Sequence, residues 1–223
     1  WNIHNESFFD SKIINILKLK ASYGTSGNSR LGNVQAKGIY KYGVSYNRNP
    51  AAVMESIRNR KLSWETAYMT NLGLRIKLLD RIDIEVEAYD KITDNLISNS
   101  GISITTGATA IDANIAKMRN QGIEVNIETV NIKTKDFGWT SRINMSHNRN
   151  KILDLYVARL GQTNKVWREG QDVNTWSLVR WAGVNPRNGE PLWYDTEGNI
   201  TNVYSSNYAV PYKRSTPDLE GGI

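Results

Sequence analysis

The chain has 223 residues, with 28 Lys plus Arg against 22 Asp plus Glu, a formal charge of +6, two His and no Cys. These counts exclude disulfide scaffolds, cysteine nucleophiles, cysteine metal clusters and multi-histidine metal centres. No run reaches the roughly 18 apolar residues of a helical membrane span. The basic residues are dispersed among the acids with no dense stripe, so no nucleic-acid partner is expected. Hydrophobic residues, at 39%, are few for a compact core of this size but too many for disorder. Seven Trp and eleven Tyr stand against three Phe, a bias toward aromatics that keep one end wet. The 25 Asn favour turns over helix.

Along the chain, period-two alternation recurs five times. Leu17, Leu19, Ala21 and Tyr23 alternate with Lys18, Lys20, Ser22 and Gly24. Leu72, Leu74, Ile76 and Leu78 alternate with Gly73, Arg75 and Lys77. Ile82, Ile84, Val86 and Ala88 alternate with Asp83, Glu85, Glu87 and Tyr89. Ile123, Val125, Ile127 and Thr129 alternate with Gly122, Glu124, Asn126 and Glu128, and more weakly Trp139, Ser141, Ile143 and Met145 with Thr140, Arg142, Asn144 and Ser146. A helix would scatter the lysines among the leucines, so all five are predicted strands, over residues 14–24, 70–79, 81–91, 120–131 and 137–148. Each is about as long as the 9–11 residues of a tilted membrane strand, against about 5–6 for a globular one.

One face of these strands carries charges at successive positions and must meet water, so the other needs an apolar medium: a second sheet in a sandwich, lipid in a membrane barrel. The connections favour the barrel. Leu79, Asp80 and Arg81 join one pair of strands, and Thr134, Lys135 and Asp136 another, whereas the links over 24–64, 91–119 and beyond Asn150 are long. Tight turns at one end and long loops at the other are the habit of outer-membrane barrels, and structureless loops beyond about 15 residues are uncommon in a compact sandwich. Tyr23, Trp64, Tyr68, Tyr89, Phe137 and Trp139 lie near strand ends, where an interfacial girdle belongs.

An ordered series of short motifs points the same way. Residues 17–28 read LKLKASYGTSGN and residues 62–65 LSWE, followed by Asn71-Leu72-Gly73. Residues 89–96 read YDKITDNL, then come Asn120-Gln121-Gly122-Ile123-Glu124, Phe137-Gly138-Trp139 and Ile143-Asn144. Residues 181–186 read WAGVNP, residues 188–195 NGEPLWYD and residues 216–222 TPDLEGG. In order and spacing this resembles the C-terminal half of the barrel of SusC/RagA-type TonB-dependent transporters of Bacteroidetes outer membranes, over nearly the whole chain. The resemblance implies an all-β fold: antiparallel up-and-down strands forming part of a barrel of about 22 strands, the plugged-transporter size class, with long external loops.

It also implies TonB-dependent import of a nutrient, an oligosaccharide or else a peptide, together with a SusD-like surface lipoprotein and in contact with outer-membrane lipid. TonB would engage through an N-terminal region. The chain begins at Trp1 without an initiator Met and ends on what reads as a starting strand, so residues 1–223 are expected to be a partial barrel lacking plug, signal peptide and final strands. The opening stretch fits an inbound strand ending near Trp1. From another class, a soluble or surface-attached β-rich glycan-binding module using the Trp/Tyr-rich loops is the alternative.

Catalytic, cofactor and metal residues are expected to be absent, and substrate-binding residues are not legible. Asp83, Glu85 and Glu87 project from one strand face about 6.5–7 Å apart, the makings of a carboxylate pair. A polar lumen wall neutralised by Arg75 and Lys77 explains them without chemistry. Asp195, Glu197 and Asn199 match the first three oxygen positions of a calcium loop, but Gly198 sits fourth rather than sixth and no Glu follows at the twelfth, so turns around a short strand at 192–194 are the better reading. Trp167, Trp176, Trp181 and Trp193 either stack on a glycan or pack the base of large loops, and the packing role is favoured. His147 has no visible catalytic partner, and no nucleophile elbow occurs.

Overall fold

All five alternating segments form strands, and each strand extends past the residues that alternate. The structure, a computed structural model, describes residues 1–28, 37–108, 110–156, 161–162 and 165–223. Its main sheet consists of β1 (Ile14–Asn28), β2 (Glu65–Leu78), β3 (Ile82–Gly101), β4 (Ala110–Lys133), β5 (Gly138–Leu155) and β6 (Glu220–Gly222). Each is antiparallel to the next in sequence order, an up-and-down meander of six strands. On the free side of β1, Trp1 N–H donates to Leu19 O at 2.8 Å and Leu19 N–H returns the bond to Trp1 O at 2.9 Å, so the first residue already pairs with the sheet.

The tight turns lie together at one end. Leu79 and Asp80 both have φ of 52°, the left-handed pair of a tight turn that Arg81 N–H closes on Leu78 O at 2.9 Å. Asn15 on the neighbouring strand clamps that turn, accepting from Asp80 N–H at 2.8 Å and donating to Asp80 Oδ2 at 3.1 Å. In the second turn Thr134 N–H donates to Phe137 O at 2.8 Å, and Phe137 N–H donates to Thr134 Oγ1 at 3.0 Å.

At the other end the long connections contain further strands. The first contains a hairpin, Ile39–Tyr46 with Asn49–Ser56, turned by Asn47 and Arg48 at φ 48° and 64°. The link expected over 91–119 is mostly extension of β3 and β4, which reach 20 and 24 residues and leave only a short connection around the 3-10 turn Ile104–Thr106. Irregularities between Thr93 and Ile97, with Asn95 at φ 55°, break the alternation and hide this extension from a period-two reading. Near the end of β5, Ile152 exchanges hydrogen bonds with Gly170 and Gln171 at 2.8 Å each. Three small sheets follow, Gly161–Gln162 with Lys165–Val166, Thr175–Leu178 with Val210–Arg214, and Trp181–Val184 with Pro191–Tyr194 and Ile200–Thr201.

Ile115, Ala116 and Ile152 are fully buried. Around Ile115 and Ala116 pack Leu96, Ala113, Leu155 and Trp167. This core lies at the loop end, on the strand extensions. In the middle of the sheet the opposite holds: Leu72 is 56% and Ile123 50% exposed.

Candidate functional site

The register turns the alternation of single strands into continuous rows across the sheet. One face carries Leu17–Ile76–Ile84–Ile127–Ile143, then Leu19–Leu74–Val86–Val125–Met145, then Ala21–Leu72–Ala88–Ile123–His147. No second sheet covers this face among the described residues, as the exposure of Leu72 and Ile123 shows, so it lacks the partner that a soluble sandwich requires.

Aromatics bound the apolar band. Tyr23 and Tyr68 follow it on the same face at the loop end, paired with Thr70 and Thr25. Trp139, paired with Ile132, closes it at the turn end, with Phe137 in the adjoining turn. Ten residues of β5 separate Arg149, in the row of Tyr23, from Trp139. At about 3.4 Å per residue and 45° of tilt that is roughly 24 Å of height, the size of an outer-membrane apolar band. Trp64 is exposed just before β2. Tyr89 departs from the expected girdle, because it belongs to the other face.

That face is a lattice of paired charges. Its rows read Lys18–Arg75–Glu85–Asn126–Asn144 and Lys20–Gly73–Glu87–Glu124–Ser146, with Lys77–Asp83–Glu128–Arg142 nearer the turns. Arg75 makes a two-pronged pair with Asp83, at 3.0 Å from Nε and 2.7 Å from a terminal nitrogen. Lys20 Nζ hydrogen-bonds Glu85 and lies 3.6 Å from Glu87. Gly73 stands between Lys20 and Glu87 in this row, and a Cβ there would lie in ordinary contact with both at 3.4–3.5 Å. Arg142 pairs with Glu128 at 3.2 Å. Lys77, expected to neutralise the Asp83 row, pairs instead with Asp80 at 3.1 Å, while Lys20 takes over Glu85 and Glu87. All three carboxylates of the row are therefore bound to cations, which leaves them as wall rather than as an acid–base pair. Above them Tyr89 crosses Gly122 and its hydroxyl donates to Asn148 Oδ1 at 3.0 Å. Lys20, Ser22, Asn71, Glu87, Tyr89 and Lys91 line a recess of about 500 Å³ on this side.

Residues that sequence reading passed over bind the loops to the wall. Glu65, nearly buried, accepts from Ile97 N–H at 2.9 Å and Asn28 Nδ2 at 3.0 Å, fixing the irregularity in β3. Asn114 Nδ2 donates to Ser63 O and Asn95 O, both at 2.8 Å. Asn150, also buried, donates to Asn120 Oδ1 at 2.9 Å and accepts from Val173 N–H at 3.0 Å. The abundance of Asn was the available signal, but it carries no address. In the same extension the Tyr156 hydroxyl donates to Asp94 at 2.9 Å, and burial together with that carboxylate pushes its phenol up to about 12.

The remaining sequence candidates separate. Asp195 accepts from the N–H groups of Glu197 at 2.9 Å and Asn199 at 2.8 Å, and these backbone donors hold its carboxyl below the usual carboxylate range. Its oxygens thus serve a turn, and no group of three or more His, Asp or Glu suited to a metal occurs among the described residues. Trp181 and Trp193 meet edge to face at 4.8 Å, and Trp193 meets Tyr204 at 5.1 Å. Trp167 instead packs on the Ile115 core, and Trp176 lies on the strand Thr175–Leu178, which pairs with Val210–Arg214. His147 Nδ1 contacts the Asp218 carbonyl, which ties β5 to the segment entering β6.

An uncovered apolar band between aromatic belts, backed by a charged polar face, defines the wall of a transmembrane antiparallel β-barrel. The family model described as TonB dependent receptor-like, beta-barrel matches residues 10–222, and the chain belongs to that family. TonB-dependent receptor P39 of Formosa agariphila is 37% identical over 157 residues, covering 70% of this chain and 15% of that protein. TonB-dependent receptor SusC of Bacteroides thetaiotaomicron is 27% identical over all of this chain and 25% of its own length. The solved structure of the RagAB peptide transporter superposes with a TM-score of 0.90 at 26% identity, over 100% of this chain and 26% of that one. The chain thus spans between about one seventh and one quarter of these relatives. The family is one of receptors and transporters of the outer membrane rather than enzymes, and in a barrel of that membrane an apolar face meets lipid while a charged face meets the lumen.

Proposed function

We propose that residues 1–223 form one arc of a large barrel, of about 22 strands, whose full-length protein imports a nutrient across the outer membrane using energy delivered through TonB. The observation that carries this is the two-faced wall, a lipid-sized apolar band on one side and a paired-charge lattice on the other, in a chain of this family. The wall contributes the passage and the external loops contribute capture. A plug elsewhere in the protein closes the lumen, and a SusD-like lipoprotein covers the loops.

The substrate class we favour is an oligosaccharide, met by the Trp- and Tyr-bearing loops. A peptide is the second reading, because a peptide transporter superposes over the whole chain. Cells carrying the full-length protein are offered fluorescent oligosaccharides and peptides, with TonB intact or deleted. TonB-dependent accumulation of either class supports import and names the substrate. Accumulation of neither, or accumulation indifferent to TonB, overturns the proposal.

A further inference from the structure

The lipid-facing side does not become neutral where the apolar band ends at the loop end. Directly above the row of Ile123 and His147, Gln121 pairs with Arg149, and the next row pairs Arg119 with Lys151. The register between β4 and β5 is regular over these rows, so Arg119, Arg149 and Lys151 share the face of Ile123 and Val125. Asp90 and Ile92 of β3 stand beside them, and Thr70 and Tyr68 of β2 complete the rows.

Of these cations Arg119 is satisfied within the wall, its two nitrogens on Asp90 at 2.8 and 2.6 Å. One step further out, Lys117 lies 3.5 Å from Asp94. Arg149 and Lys151 are exposed and have no ion-pair partner among the described residues. They are two positions apart on one strand, so their side chains leave the same face about 7 Å apart, a span that one phosphate group bridges. Lys20, Arg75, Lys77 and Arg142 have carboxylate partners within the wall, and Lys18 and Lys91, which have no ion pair among the described residues, belong to the opposite, charged face.

We infer that Arg149 and Lys151 form a binding site for the phosphorylated headgroup of an outer-leaflet lipid, whose acyl chains run down over Ile123, Met145 and Ile143. This rests on the membrane-wall reading above. The geometry selects a lipid over a free anion, because the cations stand at the upper edge of an apolar surface and point outward from the barrel. Tyr23 and Tyr68 lie on the same face, in the rows of Arg149 and Lys151, and belong to the aromatic belt at this end of the strands.

The test uses the full-length receptor, purified from the outer membrane, and its R149A/K151A variant. Both are titrated with phosphorylated lipid A and with dephosphorylated lipid A, and bound lipid is counted by native mass spectrometry. Inorganic phosphate serves as competitor. The expected result is wild-type preference for the phosphorylated lipid and a loss of roughly thirtyfold in the variant, about fivefold per cation. The variant's affinity for dephosphorylated lipid A stays unchanged, and millimolar inorganic phosphate does not compete. R149K, which keeps the charge, retains most of the affinity. Equal binding of both lipids by the wild type, or an unaltered variant, overturns the inference while the barrel reading stands. Displacement by inorganic phosphate overturns the lipid assignment. A wild-type protein that does not fractionate with the outer membrane overturns the inference and the membrane reading together.

Discussion

The ring of Tyr89 lies across Gly122, and its hydroxyl reaches Asn148 one strand further on, at 3.0 Å. A Cβ at position 122 would sit 2.5 Å from the phenol oxygen and 2.7 Å from His147 O. One of those neighbours is backbone, so the site cannot relax by turning a side chain alone. Gly122→Ala is therefore expected to destabilise the barrel by about 1–3 kcal/mol, the usual cost of overpacking. Tyr89→Phe, which loses one hydrogen bond, costs about 1 kcal/mol. The temperature at which the folded barrel loses its fast migration in detergent gels ranks the two, with Gly122→Ala the lower.

Leu79 occupies a left-handed position without any advantage in being there. Asn tolerates that region better and is favoured in turns whose two central residues are both left-handed. Leu79→Asn should stabilise the hairpin by roughly 0.5–1 kcal/mol while Asp80 keeps its bonds to Asn15. Unfolding of the two proteins in urea compares them directly, and a lower midpoint for Leu79→Asn contradicts the turn assignment.

The Lys20 pairing invites a charge swap. Lys20→Glu brings a third carboxylate up to Glu85 and Glu87, and the yield of assembled barrel is expected to fall. Adding Glu85→Lys to that variant restores a pair and should recover most of the yield. Outer-membrane levels of the single and double variants read the coupling, and a double variant no better than Lys20→Glu removes the pairing from the account of assembly.

Glu65 supports the upper part of β3 from below. Glu65→Ala leaves Ile97 N–H and Asn28 without their acceptor in a nearly buried place, at about 1–3 kcal/mol. Hydrogen exchange should accelerate in peptides covering residues 94–101, while residues 82–90, paired on both sides within the wall, stay protected. Uniform acceleration over both would contradict a local role.

The turn after Tyr194 has a pH signature. The folded carboxyl of Asp195 is held below its unfolded value by the donors of Glu197 and Asn199. Its contribution to turn order is thus complete above the ordinary carboxylate range near 4, and is lost as pH falls through the lower, folded value. Exchange of residues 195–199, corrected for the intrinsic rate, is expected to lose protection only in strong acid. In Asp195→Ala it should be unprotected at neutral pH as well.

The wall was legible in the sequence because a barrel strand needs only local information: Leu72 to Leu78 and Ile82 to Ala88 state their faces two residues at a time, and the Leu79–Asp80–Arg81 turn fixes their register. Lys20 was not placed against Glu85 because β1 and β2 are separated by a long connection, so nothing local sets their register. The upper halves of β3 and β4 were read as loop because Asn95 and the irregularities around it break the period, and their core of Ile115 and Ala116 forms only once Trp167 returns from the loops. The Asp195 cluster looked like a metal loop and is a turn, since its oxygens already face backbone N–H groups. Tyr89 shared a strand end with girdle candidates, but its partner in the register is Gly122, and that pairing requires the lumen side.

The most direct measurement on the two-faced wall uses the absence of cysteine from residues 1–223. Single cysteines at Ile84, Glu85, Val86 and Glu87 in the full-length protein are spin-labelled in outer-membrane vesicles, and their accessibilities to oxygen and to a water-soluble nickel chelate are compared. A period of two is expected, with 84 and 86 favouring oxygen from the lipid and 85 and 87 the lumen-side reagent. Equal accessibility of all four to the aqueous reagent would contradict a membrane wall.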